Sequence, residues 1–285
     1  GPPGVPTIAQ NESLRPLVSA DPGFVHLHVH SAYSLLEGAM TIGKLAEFAK
    51  ADKQPALALT DTDNMFGGLE FSEKLAGSGI QPIVGCTLAV DFGDEARDPR
   101  QPVRTKPLPR IVFLATGETD GLIMLTGGPA GPIDTAIAGG QSDLAASRLA
   151  TLKRLFGDRL YVEVQRHGTA DERATESPLV ELAYAQEIPL VATNEPFFAR
   201  REDYEAHDAL ICIAEGKLLA ETERRQLTAE HYFKSRAEMA ALFADLPEAL
   251  ASTVEIAQRC AFRPGTRKPI LPRFSAGDNS DDETA

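Results

Sequence analysis

FVHLHVHSAYS, residues 24–34, is the stretch on which the reading of the chain turns. In an extended strand successive side chains project to opposite faces. His26, His28 and His30 are therefore expected on one face, with Val25, Leu27 and Val29 on the other. Imidazoles gathered in this way suit two roles: ligands of a metal centre, or hydrogen-bonded histidines lining a barrel. Alternation alone leaves both open.

Further β-rich runs come after it: ALALT (56–60), PIVGCTLAV (82–90), RIVFLA (110–115), GLIMLT (121–126), LYVEV (160–164) and PLVAT (189–193). With 24–29 they make about seven short strands. Between them lie helical patterns. In TIGKLAEFAK, Ile42, Leu45, Ala46 and Ala49 fall on one helical face behind Thr41, placed as a cap. GGLEFSEKLAGSG runs out at Gly77 and Gly79, and QSDLAASRLATLKRLFG and ESPLVELAYAQE read as further helices. Strand and helix in alternation predict an α/β fold with a parallel sheet, open or closed into a barrel. One junction conflicts with this. Only about five residues separate RIVFLAT from GLIMLTGG, whereas a parallel crossover needs a dozen or more. Either these strands form a hairpin or chain is missing near Glu118 and Thr119.

Residues 1–23 read as an N-terminal extension rich in Pro and Gly whose first residues resemble a cleavage scar. The barrel is expected over 24–200. From Arg201 to about residue 262 strands give way to YEAHDALICIAEG, SRAEMAALFADLP and EALASTVEIAQRC, a small helical segment; 263–285 is a Pro-rich and then acidic tail, expected to be extended. A chain of 285 residues with 43% hydrophobic content can bury a sizeable core. Its net charge of −13 and pI near 5.0 disfavour unaided tight binding to a phosphate backbone. Cys86, Cys212 and Cys260 are sparse and without a CxxC pair, which fits a reducing compartment. No run has the length of a membrane span, so the cytoplasm is the expected location and no membrane partner is expected.

In parallel α/β folds chemistry gathers at the C-terminal ends of strands. His28 and His30, Asp61 and Asp63, Glu163 with Arg166 and His167, and Asn194 with Glu195 all fall there. Imidazole with carboxylate is the donor set of Zn, Mn or Fe. Asp61 and Asp63 fit a turn as well as a site. His167 reads as a loop residue, His207 and His231 as surface histidines, and Arg224, Arg225 and Gln226 as a solvated face. GGPAG (127–131) fits a tight turn better than an anion cradle. No nucleophile elbow, Walker A or dinucleotide motif occurs.

FVHLHVHSAYSLLEG (24–38), ALALTDTDNMFGGLEF (56–71) and QPIVGC (81–86) together resemble the PHP (polymerase and histidinol phosphatase) domain of bacterial DNA polymerase III alpha subunits. The likeness continues through GLIMLTGGPAG, PLVATNEPFF and HYFKSRAEMAALFADLPEALASTVEIAQRC, from Phe24 to about Pro272. It implies a distorted (β/α)7 barrel of PHP type followed by a small helical segment, cut from a longer polymerase before its catalytic palm.

The resemblance also implies a multinuclear metal centre in members that keep it. Carried across by position, His28 and His30 keep the HxH pair, and Glu37 and Glu195 each stand where Asp is usual. Thr62, Thr87, Arg110, Gly128 and Phe197 stand where other ligands are lost. A guanidinium places a permanent cation where a dication should bind, and Phe offers no lone pair. The expectation is a degenerate centre with no catalytic residues and no cofactor beyond one weakly bound Zn or Mn. Arg110 is expected to pair with Glu37 or Glu195. Intact members act as metal-dependent 3′–5′ exonucleases; a degenerate one would support the polymerase, contact a proofreading exonuclease subunit and the remainder of the alpha subunit, and meet DNA only through the full-length enzyme. The alternatives are a residual metal-dependent exonuclease or phosphoesterase using these four residues, and a free-standing phosphatase of histidinol-phosphatase type.

Overall fold

A computed structural model describes residues 23–94, 107–117 and 121–264. Six strands form one curled sheet in chain order: β1 (Ala56–Leu59), β2 (Gln81–Ala89), β3 (Arg110–Ala115), β4 (Leu122–Leu125), β5 (Leu160–Gln165) and β6 (Leu190–Thr193). The helices are α1 (Ile42–Ala51), α2 (Gly68–Gly77), α3 (Pro132–Ala138), α4 (Ser142–Phe156), α5 (Ala170–Ala185), α6 (Tyr204–Glu215), α7 (Arg236–Leu242) and α8 (Pro247–Arg259). Thr41 caps α1 by accepting from the Lys44 N–H, and reciprocal capping boxes start α5 (Thr169 with Glu172) and α7 (Ser235 with Glu238).

Two expectations about the sheet need correcting. The first is the seventh strand. Residues 24–29 join the sheet through a single bridge, His26 to Leu57, so six strands rather than seven are found among the described residues. The chain bends at His28, and Ser31 is then drawn onto the Asp61 carboxylate by its backbone N–H and its hydroxyl, each at 2.7 Å. The second is the parallel arrangement. β1–β2, β4–β5 and β5–β6 are parallel, but β2–β3 and β3–β4 are antiparallel. Antiparallel neighbours need only a short turn, so the brevity of the β3–β4 connection no longer argues for missing chain. The Thr116 hydroxyl donates to the Gly121 carbonyl across it at 2.6 Å. Glu118 and Thr119 themselves, the N-terminal extension up to residue 22 and most of the acidic tail lie outside the described residues.

Strand alternation divides the core. In β5, Leu160, Val162 and Val164 face outward into a cluster with Leu149 and Leu152 of α4, Leu179 of α5 and Phe243. Tyr161 faces inward with Val112, Leu114, Leu125 and Val191; α8 adds Ile256 and Ala257 to this inner cluster, and Cys260 just after it joins them. Met239 of α7 and the buried face of α8 thus pack against the curled sheet. A third cluster seats β1 against α1 and α2 through Leu57, Leu59, Leu45, Phe71 and Leu75.

Val25 and Leu27 belong to the inner cluster, which places His26 on the outer side. Its ring lies between Phe24 and Phe233, with centroids at 4.8 and 4.4 Å, and its Nε2–H donates to the Lys234 carbonyl at 2.8 Å. The expected trio on one face is thus a pair, His28 and His30, because the bend at His28 breaks the alternation after Leu27.

Burial lowers the His26 pKa to about 4, with the nearby Lys234 charge adding to the effect against its carbonyl contact. The unfolded chain takes up this proton near the ordinary pKa of 6.5, the folded protein only near 4. Folding stability is therefore present above pH 6.5 and falls as the pH drops through this window, by on the order of 3 kcal/mol from this group. Urea unfolding at several pH values should show a smaller loss between pH 6.5 and 4 in His26→Gln than in the parent.

Candidate metal centre

Glu163 sits on the inward face of β5 with no exposed surface. Its carboxylate accepts from His28 Nδ1–H at 2.7 Å, from the Gly127 N–H at 2.9 Å, from Gln165 Nε2 at 2.8 Å and from the Thr193 hydroxyl. Gly127 adopts φ +89°, and a Cβ there would lie 1.9 Å from the Arg110 carbonyl oxygen, so only glycine fits. The GGPAG stretch is thus a turn, as expected, and the anion it meets is the protein's own Glu163.

His30 is held from the other side. Its Nδ1 lies 3.0 Å from the Ser34 hydroxyl, which donates to Asp61 at 2.7 Å. Asp61, left open between turn and site in the sequence, is a buried anchor that ties the Ser31 to Ser34 turn to the end of β1. The Nε2 atoms of both rings converge on one oxygen, Glu195 Oε1, at 3.4 Å from His28 and 3.1 Å from His30, and the Thr87 hydroxyl also lies 3.4 Å from His28 Nε2. Glu195 follows β6 with φ +47°, a left-handed conformation that non-glycine residues adopt at a cost of about 1 kcal/mol or more. Burial alone would lower the His28 pKa, but the Glu195 and Glu163 carboxylates outweigh it and push it up to about 9. The converse holds at Glu195, where burial is outweighed by His28 and His30 and the carboxyl lies well below its usual range.

Glu37 stands apart from this trio. Arg110 Nη1 lies 3.0 Å from Glu37 Oε1, Arg225 Nη1 lies 3.5 Å from the same oxygen, and the Thr62 hydroxyl donates to Oε2 at 2.7 Å. Burial raises the Glu37 pKa, but the Thr62 hydrogen bond and Arg110 prevail and hold it below the ordinary value. At the remaining positions Thr87 donates its hydroxyl to the Thr60 carbonyl, Gly128 has no side chain, and the Phe197 ring stacks on His30 at 4.7 Å.

His167 lies in the loop after β5, as expected, and is buried there, whereas His207 and His231 are buried rather than on the surface. His167 pairs with Glu172 at 2.7 Å and stacks on His231, while His207 Nε2 lies 2.7 Å from the Glu37 carbonyl oxygen. Arg224 and Arg225 are not a solvated face either: Arg224 grips Asp208 with two bonds of 2.6 and 2.7 Å, and Arg225 reaches over the Phe197 ring to Glu37. Long-range partners in α6 and the barrel mouth determine these positions, and no local pattern announces them. Ser34, Gln165 and Thr193 were also missed, because hydroxyls and amides in the second layer carry no motif.

His28, His30 and Glu195 place two imidazole nitrogens and a carboxylate oxygen within 4.8 Å of one another. That donor set fits one divalent ion of the Zn or Mn type. Glu37 is engaged instead by Arg110 and Arg225.

The PHP domain family matches residues 26–119. The chain carries a PHP domain. The chain is 44% identical to DNA polymerase III subunit alpha of Caulobacter vibrioides, over 90% of this chain and 25% of that protein. The Escherichia coli K12 subunit is 35% identical over 93% of this chain and 25% of its own length. The chain thus spans about a quarter of the length of the curated relatives it matches. Among solved structures, a two-domain protein from Bacteroides vulgatus described as containing a predicted PHP-like metal-dependent phosphoesterase aligns over 81% of this chain and 65% of its own, with a TM-score of 0.42 and 12% identity. At that level the likeness adds nothing to the reading of the site.

The two ion-pair systems of the PHP domain should differ in weight. Glu163→Ala leaves His28 and the Gly127 N–H without a buried acceptor and should cost about 3 to 5 kcal/mol. Arg110→Ala removes a partly exposed partner and should cost about 1 kcal/mol or less. Denaturant titration of both variants checks the order.

Proposed function

We propose that this PHP domain serves in DNA replication as a non-catalytic scaffold and interaction module of a DNA polymerase III alpha subunit. The observation that carries the reading is the Arg110 guanidinium 3.0 Å from Glu37. Cleavage of a phosphodiester by a two-metal centre needs ligands for both ions, so that attacking and leaving oxygens are both clamped. Here one carboxylate of the mouth is neutralised by a fixed cation, which opposes a neighbouring unit charge by about 4 kcal/mol at 4 Å in an effective dielectric of 20. Thr62, Thr87, Gly128 and Phe197 offer no strong ligand to make up the loss. In this role the domain's partners are the rest of the alpha subunit and a proofreading exonuclease subunit, and DNA is reached through the whole polymerase.

A residual metal-dependent exonuclease or phosphoesterase is the second reading, favoured by the convergence of His28, His30 and Glu195. In it these residues and Glu37 would hold the ions, the Lewis acid would activate water, and the protein would orient the phosphodiester. Incubation of the purified chain with end-labelled single-stranded DNA and manganese separates the two. No shortening above background is expected; exonuclease activity abolished by His30→Ala would replace the scaffold reading with the second.

The acidic chain should also fail to bind single-stranded DNA tightly at physiological salt or to extend a primer. Fluorescence anisotropy with a labelled oligonucleotide tests the first point, and submicromolar binding would contradict it.

A further inference from the structure

We infer that Ser34, backed by Asp61, and Glu163 are positioning residues that orient His28 and His30 toward a site for a single divalent cation completed by Glu195. The inference rests on the site geometry and on the PHP assignment, not on the domain being catalytically silent. It starts from proton bookkeeping at Ser34. The hydroxyl has one proton, and the Asp61 carboxylate, 2.7 Å away, can only accept it. The Thr62 N–H also donates to the same hydroxyl oxygen, at 3.1 Å. What remains on Ser34 is a lone pair, so the 3.0 Å contact with His30 requires the proton to sit on His30 Nδ1.

Glu163 imposes the same orientation on His28. Its Oε1 faces His28 Nδ1 at 2.7 Å while the carboxylate also accepts from Gly127, Gln165 and Thr193. Both rings are thus turned so that Nε2 faces Glu195 Oε1, at 3.4 and 3.1 Å. With both rings deprotonated at Nε2, three atoms that carry lone pairs converge on one point. A proton bridges one such pair at a time, whereas one divalent cation satisfies all three. Anchoring the far nitrogen of a ligating imidazole to a carboxylate or another acceptor is how proteins fix tautomer and aim. Asp61 and Ser34 do this as a two-step relay, and Glu163 does it directly.

The test uses the metal-free chain titrated with Zn2+ by calorimetry and with Co2+ by visible absorption. One ion per chain is expected, with binding lost in His30→Ala. Ser34→Ala should weaken zinc binding by roughly ten- to a hundred-fold and alter the cobalt bands, whereas Ser34→Thr, which keeps the hydroxyl, should bind within a few-fold of the parent. Nitrogen NMR of the metal-free parent gives a readout independent of the variants: His28 and His30 should both carry a proton on Nδ1. A ring protonated on Nε2 alone would overturn the inference. So would a parent that binds no zinc, a stoichiometry of two, or Ser34→Ala binding as tightly as the parent. Absence of zinc binding would leave the scaffold reading standing. One bound zinc together with cleavage of single-stranded DNA would do the reverse.

Discussion

A carboxylate with no exposed surface, Glu163, holds the interior of this barrel together. An ionised group so deep is tolerated only where hydrogen bonds replace its hydration. The donors come from four separate parts of the chain: His28 from the first segment, Gly127 from the turn after β4, Gln165 from β5 itself and Thr193 from the end of β6. Gly127, Gln165 and Thr193 lie where β4, β5 and β6 end, so satisfying one charge fixes the relative height of three strand termini and of the first segment. The first segment pairs with β1 through only one bridge. Backbone bonds from Ala58 to His26 and from Thr60 to Val29, the Glu163 contact and Asp61 together hold it in the mouth.

The mouth divides into two electrostatic halves. On one side His28, His30 and Glu195 are arranged around a shared oxygen, with anchors behind both rings. On the other, Glu37 is held between Arg110 from β3 and Arg225 from the loop after α6, with Thr62 beneath it. The physical effect of the arginines is to supply positive charge without vacant coordination positions. A metal centre accepts an incoming oxygen, and a guanidinium does not accept one as a ligand. On the proposed reading this exchange keeps the carboxylate satisfied and the fold intact while removing what hydrolysis requires.

Antiparallel pairing of β2, β3 and β4 also bears on the site. It lets β3 present Arg110 at its first residue, so that an N-terminal strand end reaches the same mouth as the C-terminal ends of β1, β5 and β6. In an all-parallel barrel that position would face the opposite rim.

Much of this was legible in the sequence because it is local. β-rich apolar runs marked the strands from 56–59 onward to within a residue or two, Thr41 marked the start of α1, and the motifs around His28 and His30 pointed to the PHP family. The pairing of Arg110 with one of the two mouth carboxylates could also be read, and the structure pairs it with Glu37. What tertiary structure alone decided are matters of partnership between distant residues. The sense of β3 and β4, the bend that takes His26 away from His28 and His30, and the burial of His207, His231 and Arg224 have no local signature. The same holds for Ser34 and Glu163, whose importance lies in which nitrogen they face. Backbone periodicity is a property of neighbours a few residues apart, whereas the satisfaction of a buried charge is settled by whatever the fold brings within about 3 Å of it.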